Sequence, residues 1–202
     1  MFTSLEIPAL TSRTLVLDPP LSDEELERMS ERSDFACFER DREGMIRMNP
    51  PAGALTSDAN HEINFQLRLW WQTHRKGRTV GNDAGFFLPD GSMLSPDAAF
   101  LTEKQLRSFT HEQLEHFLYI APAFILELRS PSDRLKACQE KMEAWISNGV
   151  EVGWLIDPKN RQAFIYQPGQ ETPETETGPL LRGTGPVDGF VLNLTEVWRC
   201  FE

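Results

Sequence analysis

The chain has 202 residues, 40% of them hydrophobic and 25% charged, with a net charge of −11. That composition fits one globular α/β domain with a full core and makes two domains a poor fit. The charge argues against broad, non-specific nucleic-acid binding, which needs lysine and arginine on phosphates, but it leaves room for a metal-carboxylate site. Residues 1–20 read as an N-terminal arm or edge strand, with Leu15-Val16-Leu17 as its apolar piece and Pro19-Pro20 as its end. A single domain follows over 21–202. Ser22 caps a helix with Glu25 as capping-box partner, and that helix ends near Arg32. Phe35–Arg40 and Met45–Met48 form a hairpin around Arg42-Glu43-Gly44, stopped by Asn49-Pro50-Pro51. A longer helix, capped at Thr56 or Ser57, carries Ile63, Leu67, Trp70 and Trp71 at helical spacing and ends near His74, with Lys76-Gly77 as its C-cap. Val80–Leu88 and Ser95–Leu101 read as an antiparallel strand pair about the Pro89-Asp90-Gly91 turn. Residues 102–116 are a polar helical excursion.

The centre of the chain is Phe124–Asp157. It reads as a strand, F-I-L-E-L, a helix from about Asp133 to Asn148, and a second strand ending at Asp157-Pro158. The crossover predicts a parallel, right-handed pair. Ala163–Tyr166 returns antiparallel, Gln167–Pro179 reads as a solvated loop, and a last strand pair leads to a short helix with Val197 and Trp198. The expected architecture is a mixed central β-sheet flanked by helices.

Glu127 stands inside an apolar run, where an unpaired carboxylate is costly. Asp97 follows Pro96 at the start of another strand. Each has a plain alternative: Asp97 as a turn-end cap, Glu127 as an outward-facing edge residue. Together they suit a hard divalent cation, Mg²⁺ or Mn²⁺. Leu135, Cys138, Met142 and Trp145 form the buried stripe of the crossover helix. Lys141 falls about 90° from its centre at ~3.6 residues per turn, a boundary position able to reach the sheet end or to stay solvated. Gln139 borders the stripe on the other side and is the weaker candidate. His111 and His116 are five apart and do not share a helix face, so the H-E-x-x-H geometry fails. His61-Glu62 opens the long helix and suits a solvated first turn better than a cleft. The three widely spaced cysteines, an N-terminus without a basic-then-apolar pattern, and the lack of a long apolar run read as a reduced, cytoplasmic protein without a membrane anchor.

Three stretches carry a resemblance. S-P-D-A-A-F-L, A-P-A-F-I-L-E-L-R-S-P-S-D and E-K-M-E-A-W-I-S-N-G-V-E-V-G-W-L-I-D-P resemble the Uma family, a bacterial group abundant in cyanobacteria and assigned as restriction endonucleases. The Phe38–Gly44 hairpin resembles that family's N-terminal segment, and the resemblance covers roughly 20–198. It implies the restriction-endonuclease-like fold of the PD-(D/E)XK nuclease superfamily and a Mg- (or Mn-) dependent endonuclease acting on DNA. It also implies Asp97 and Glu127 as metal-binding catalytic residues. The superfamily's lysine position is Arg129 here, and a guanidinium holds its proton too tightly to act as a base. The resemblance moves that role to Lys141 on the following helix. A homodimer is expected from the strand surfaces, the tryptophans and the symmetry of such enzymes. The competing expectation is a non-catalytic dimeric binding or scaffold protein that keeps the fold, favoured by the −11 charge and by Arg129.

Overall fold

The computed structural model describes residues 14–17, 20–33 and 36–202, so most of the predicted arm, and Phe35 of the predicted hairpin, lie outside the described residues. Among the described residues the main sheet has six strands. In spatial order they are Glu174–Glu176, Gln162–Tyr166, Val152–Asp157, Phe124–Leu128, Ala98–Leu101 and Arg78–Gly81. Only the pair Phe124–Leu128 and Val152–Asp157 is parallel, with Glu127 opposite Leu155. Both of these strands are buried along their whole length, which is why they read as unbroken apolar runs rather than alternating ones.

Strand periodicity still decides which helix each side chain meets. Phe124, Leu126, Leu128, Trp154 and Ile156 face one way, with Ala59, Ile63 and Leu67 of the long helix Ala54–His74 and with Val197 and Trp198 of the C-terminal helix Leu194–Arg199. Ile125 and Leu155 face the other way, against Met142 and Trp145 of the crossover helix Leu135–Ser147. Leu135 and Cys138 are only half-buried at its start. Gly153 admits this helix: a Cβ there would lie 2.6 Å from the Met142 methyl. Glu127 shares its face with Ile125, so it points into the layer under the crossover helix.

A second sheet of five short strands, in the order Thr14–Leu15, Ile46–Asn49, Cys37–Arg40, Met93–Leu94, Phe86–Phe87, packs Phe38, Ile46, Phe87 and Met93 around Leu26 of the first helix, Asp23–Glu31. The Ser22–Glu25 capping box is present. Arg40 ties this layer together, donating to the Gly91 and Leu21 carbonyls and pairing with Asp23. Ser95-Pro96-Asp97 is the stretch by which the chain passes from this sheet to the main one.

Several local expectations change. Val80–Leu88 is not one strand. Arg78–Gly81 pairs with Ala98–Leu101 in the main sheet, while Phe86–Phe87 pairs with Met93–Leu94 in the smaller one. The Asn82–Gly85 turn between them sends the two halves apart. The long helix starts at Ala54 with Gly53 as its cap, and Thr56 is buried inside it; it ends at His74 as expected, with Arg75, at φ 56°, as its C-cap in place of Lys76-Gly77. The Gln167–Pro179 stretch contains an edge strand, Glu174–Glu176, paired with Ala163–Ile165. Residues 102–116 form a four-residue helix, Glu103–Leu106, and a 3₁₀ turn, Gln113–Glu115, in place of one helical run. Trp70 and Trp71 are half-buried, and the exposed apolar side chains of the long helix are Leu55, Phe65 and Leu69. Among the described residues no helix is long and apolar enough to cross a membrane.

Candidate functional site

The site lies at the seam between the two sheets. The antiparallel register sets Ala98 opposite Leu126, which carries Asp97 to a position opposite Glu127. Asp97 then turns across the strand end. Its Oδ2 accepts from the Leu128 amide at 2.7 Å, and its Oδ1 accepts from Asn60 Nδ2 at 3.0 Å. Asn64 donates to the Asp97 carbonyl at 3.0 Å. The long helix thus holds the Pro-Asp turn by two asparagines one turn apart. The turn-end reading of Asp97 is therefore half right, because its carboxylate does hold a backbone amide.

Lys141 and Trp145, one turn apart on the crossover helix, both reach Glu127 Oε1, at 2.8 Å each. Lys141 is not solvated; its side chain is 18% exposed and its Nζ also meets Glu39 Oε1 at 2.7 Å and the Ser95 carbonyl at 2.9 Å. All three ammonium hydrogens therefore have acceptors. Glu39 was not anticipated. It comes from the Cys37–Arg40 strand of the smaller sheet and is buried; its Oε1 also accepts from the Ser95 amide, at 3.0 Å, and its Oε2 accepts from Asn49 at 2.9 Å. Nothing in the sequence marks it, because its strand has only four residues and the sequence around Glu39 reads as an ordinary hairpin arm.

The electrostatics follow from the count. Three carboxylates, Glu39 and Glu127 buried and Asp97 half-buried, lie about one ammonium. Burial, together with the Asp97 and Glu39 charges, pushes the Glu127 carboxyl up to about 8, against the pull of Lys141. Burial also pushes Asp97 up, although the Leu128 amide and Lys141 oppose it. Glu39 goes down despite its burial, because Lys141, Ser95 and Asn49 all favour its charged form. Glu127 and Glu39 hold the Lys141 proton more tightly than in an ordinary lysine, against a burial that works to release it. One ammonium does not balance three carboxylates, and the shortfall falls on Glu127 and Asp97.

These groups open into a cleft of about 980 Å³ lined by Asp97, Glu127, Glu39 and Lys141 on its floor. Its other charged lining residues are Glu31, Asp83, Asp133 and Arg47, so the rim is acidic among the described residues. The Ser130-Pro131-Ser132-Asp133 turn forms one wall. Gln139 does not line this cleft. His61 and Glu62 line a separate shallow hollow with Glu196 and Arg199.

Arg129 sits elsewhere. Its Nη1 donates to both carboxylate oxygens of Asp157 at 3.0 Å, and Asn160 adds a third bond to Asp157 Oδ2 at 2.7 Å. Asp157 is fully buried. Arg129 thus serves a closed structural pair, and the Asp-Pro that ends the second central strand is its partner.

A divalent cation fits the floor of the cleft by donor chemistry. Asp97 and Glu127 offer hard oxygen ligands, and a small hard cation commonly takes one or two protein carboxylates and fills the rest of its shell with water and phosphate oxygens. Asn60 Oδ1, beside Asp97, is buried without a partner. Among the described residues, the one trio of His, Cys or acidic side chains with ligand atoms mutually within 4.8 Å is Glu27, Glu31 and His116, outside the main sheet.

A family model described as "Uma2: Putative restriction endonuclease" matches residues 23–195. Among solved structures the chain is similar to one described as "a putative nuclease belonging to DUF820 from Anabaena variabilis ATCC 29413". That likeness has 19% identity, a TM-score of 0.68, and covers 82% of this chain and 92% of that one. At this identity it speaks for the fold alone, and the fold is the expected restriction-endonuclease-like one. No functionally curated protein matches the chain.

Proposed function

We propose, from the premise that the chain belongs to the Uma2 restriction-endonuclease family, that it is a cytoplasmic, homodimeric endonuclease that hydrolyses DNA phosphodiester bonds with Mg²⁺ or Mn²⁺. Asp97 and Glu127 would hold the cation. A bound Mg²⁺ or Mn²⁺ supplies a Lewis acid for phosphoryl oxygens and a water of lowered pKa. In the reaction water adds to phosphorus and one ester P–O bond breaks, leaving a phosphomonoester and a hydroxyl. Lys141 keeps its proton too firmly for general-base work. Its role is to present an ammonium to the phosphate, where charge builds in the transition state. The observation that carries this reading is the buried charge imbalance: Glu127 and Asp97, both raised, open into a cleft beside a single lysine. The exposed Phe65 and Leu69, neighbours on the long helix, offer apolar surface for a symmetric pair.

The test is cleavage of supercoiled, linear and single-stranded DNA with Mg²⁺, Mn²⁺ or EDTA. Wild type should cut only with metal, and Asp97→Asn and Glu127→Gln should not cut. Light scattering should return the mass of a dimer. A second reading has one observation in its favour. The acidic rim formed by Glu31, Asp83 and Asp133 suits a non-catalytic binding or scaffold protein better than a DNA-facing enzyme. Wild type that cuts no substrate with either metal would select it.

A further inference from the structure

Glu39 belongs to neither strand of the main-sheet site, yet it touches Lys141 as closely as Glu127 does. We infer that Glu39 is the positioning residue for Lys141, the anchor that keeps its ammonium over the floor of the cleft when Glu127 serves a cation. This rests on the nuclease reading above for its consequence, but its geometry stands independently of it.

Lys141 has three acceptors, Glu127, Glu39 and Ser95, and so no N–H to offer a phosphate while all three are kept. Glu127 is the one acceptor among them that the cation would share. Once Glu127 turns its oxygens that way, Lys141 retains Glu39 and Ser95 and has one N–H to spare. Glu39 is built to stay behind. It is buried, and both its oxygens are engaged apart from Lys141: Oε1 by the Ser95 amide and Oε2 by Asn49. Asn49 lies opposite Cys37 on the paired strand of the same hairpin, so the clamp on Glu39 is internal to the smaller sheet. Ser95 completes a closed set, because its amide holds Glu39 and its carbonyl holds Lys141. The smaller sheet thereby acquires a task in the main-sheet site.

The test compares wild type with Glu39→Gln and Asn49→Ala. Lys141 acetylation by acetic anhydride at one fixed pH, read by mass spectrometry with and without Mg²⁺, reports how firmly the amine is held. Mn²⁺ calorimetry without DNA reports the cation site, and steady-state cleavage separates kcat from KM. Glu39→Gln should label Lys141 several-fold faster than wild type, with the largest excess in Mg²⁺. Mn²⁺ affinity and KM should stay near wild type, while kcat falls by about 10²-fold, the cost of a misplaced catalytic group. Asn49→Ala should move labelling and kcat the same way by less, and it keeps the test standing if Glu39→Gln does not fold. Wild-type labelling rates in both variants would overturn the inference, and so would a fall in Mn²⁺ affinity that matches the fall in kcat, since Glu39 would then be a ligand. If wild type cuts nothing, the nuclease reading fails by itself, and the labelling comparison still decides whether Glu39 anchors Lys141.

Discussion

Two carboxylates sit near the ends of the two neighbouring parallel strands, and the fold treats them in opposite ways. Asp157 is sealed from solvent and matched by one guanidinium that meets both its oxygens. It lines no part of the cleft. Glu127 is also buried, but it shares its one cation, Lys141, with Glu39 and lies across from Asp97. Burial alone therefore does not set the candidate site apart from the structural pair. Charge balance and access do. A matched buried pair contributes a defined register between strands. An unmatched cluster costs stability in every folded molecule, and a site that perturbs its own carboxylates this way is a candidate for chemistry.

The largest expected effect breaks the matched pair. Arg129→Ala should cost about 3–5 kcal/mol in a denaturant titration, because it strands Asp157 as a buried charge. The cost should shrink if Asp157 is replaced by an apolar residue in the same chain, since what hurts is the unpaired partner. A loss below about 1 kcal/mol for Arg129→Ala would place this pair with ordinary surface ion pairs and dissolve the contrast.

Lys141→Ala comes next, and it should separate the two regions by readout. Removing one well-placed electrostatic group should lower kcat by about 10²–10³-fold. Folded, Arg129→Ala should cut at a rate far closer to wild type, because Arg129 is committed to Asp157. A boundary lysine would leave stability untouched, but this one holds two buried carboxylates. Lys141→Ala should therefore also cost about 1–3 kcal/mol without metal, the penalty for leaving buried polar groups unsatisfied.

The same two regions show what the chain makes legible. Glu127 stands out because a charge interrupts an otherwise apolar strand, and helix phase brings Lys141 to the same edge. Pro96-Asp97 reads as the edge of a strand, and the structure starts that strand at Ala98, just after it. Arg129 reads as a departure from pattern, but its partner does not, since Asp157 lies 28 residues on and only strand register brings the two together. Glu39 is hidden for a related reason. Its strand has four residues, too few for alternation to tell a buried Glu from an exposed one. Asn60, Asn64 and Asn49 have no signature, because an asparagine that clamps a carboxylate looks like any polar residue until the fold closes. Glu174–Glu176 is exposed on both faces, so it carries no apolar rhythm and reads as loop. Val80–Leu88 misleads in the other direction. Its apolar rhythm runs past Gly81 and Gly85, and the two halves part at the turn between these glycines.

The smallest expected effect concerns pH, and it sharpens the comparison from the unmatched side. Burial and its two neighbours push Glu127 up to about 8, while in the unfolded chain it titrates near ~4.3. Between these values the folded state binds the extra proton. Stability then falls as pH rises, because the slope follows the protons bound by the unfolded state minus those bound by the native one. The contribution is whole below the unfolded value and is lost as pH passes through the folded one. Asp97, also raised, adds in the same direction. Glu39, lowered, has the opposite sign and acts below the ordinary carboxylate range, outside this window. A cation held by Asp97 and Glu127 needs them deprotonated, so its stabilisation should grow as the metal-free protein weakens. Thermal melts should show a small rise in Tm with Mg²⁺ near pH 5.5 and a larger one near pH 8.5. Glu127→Gln should flatten that trend, and in the metal-free protein near pH 8.5 it should match or exceed wild-type stability, since the amide carries no charge to bury. A Mg²⁺ shift that is the same at both pH values in wild type would mean the cation does not depend on these carboxylates, and Glu127 would then belong with Asp157 as a structural group.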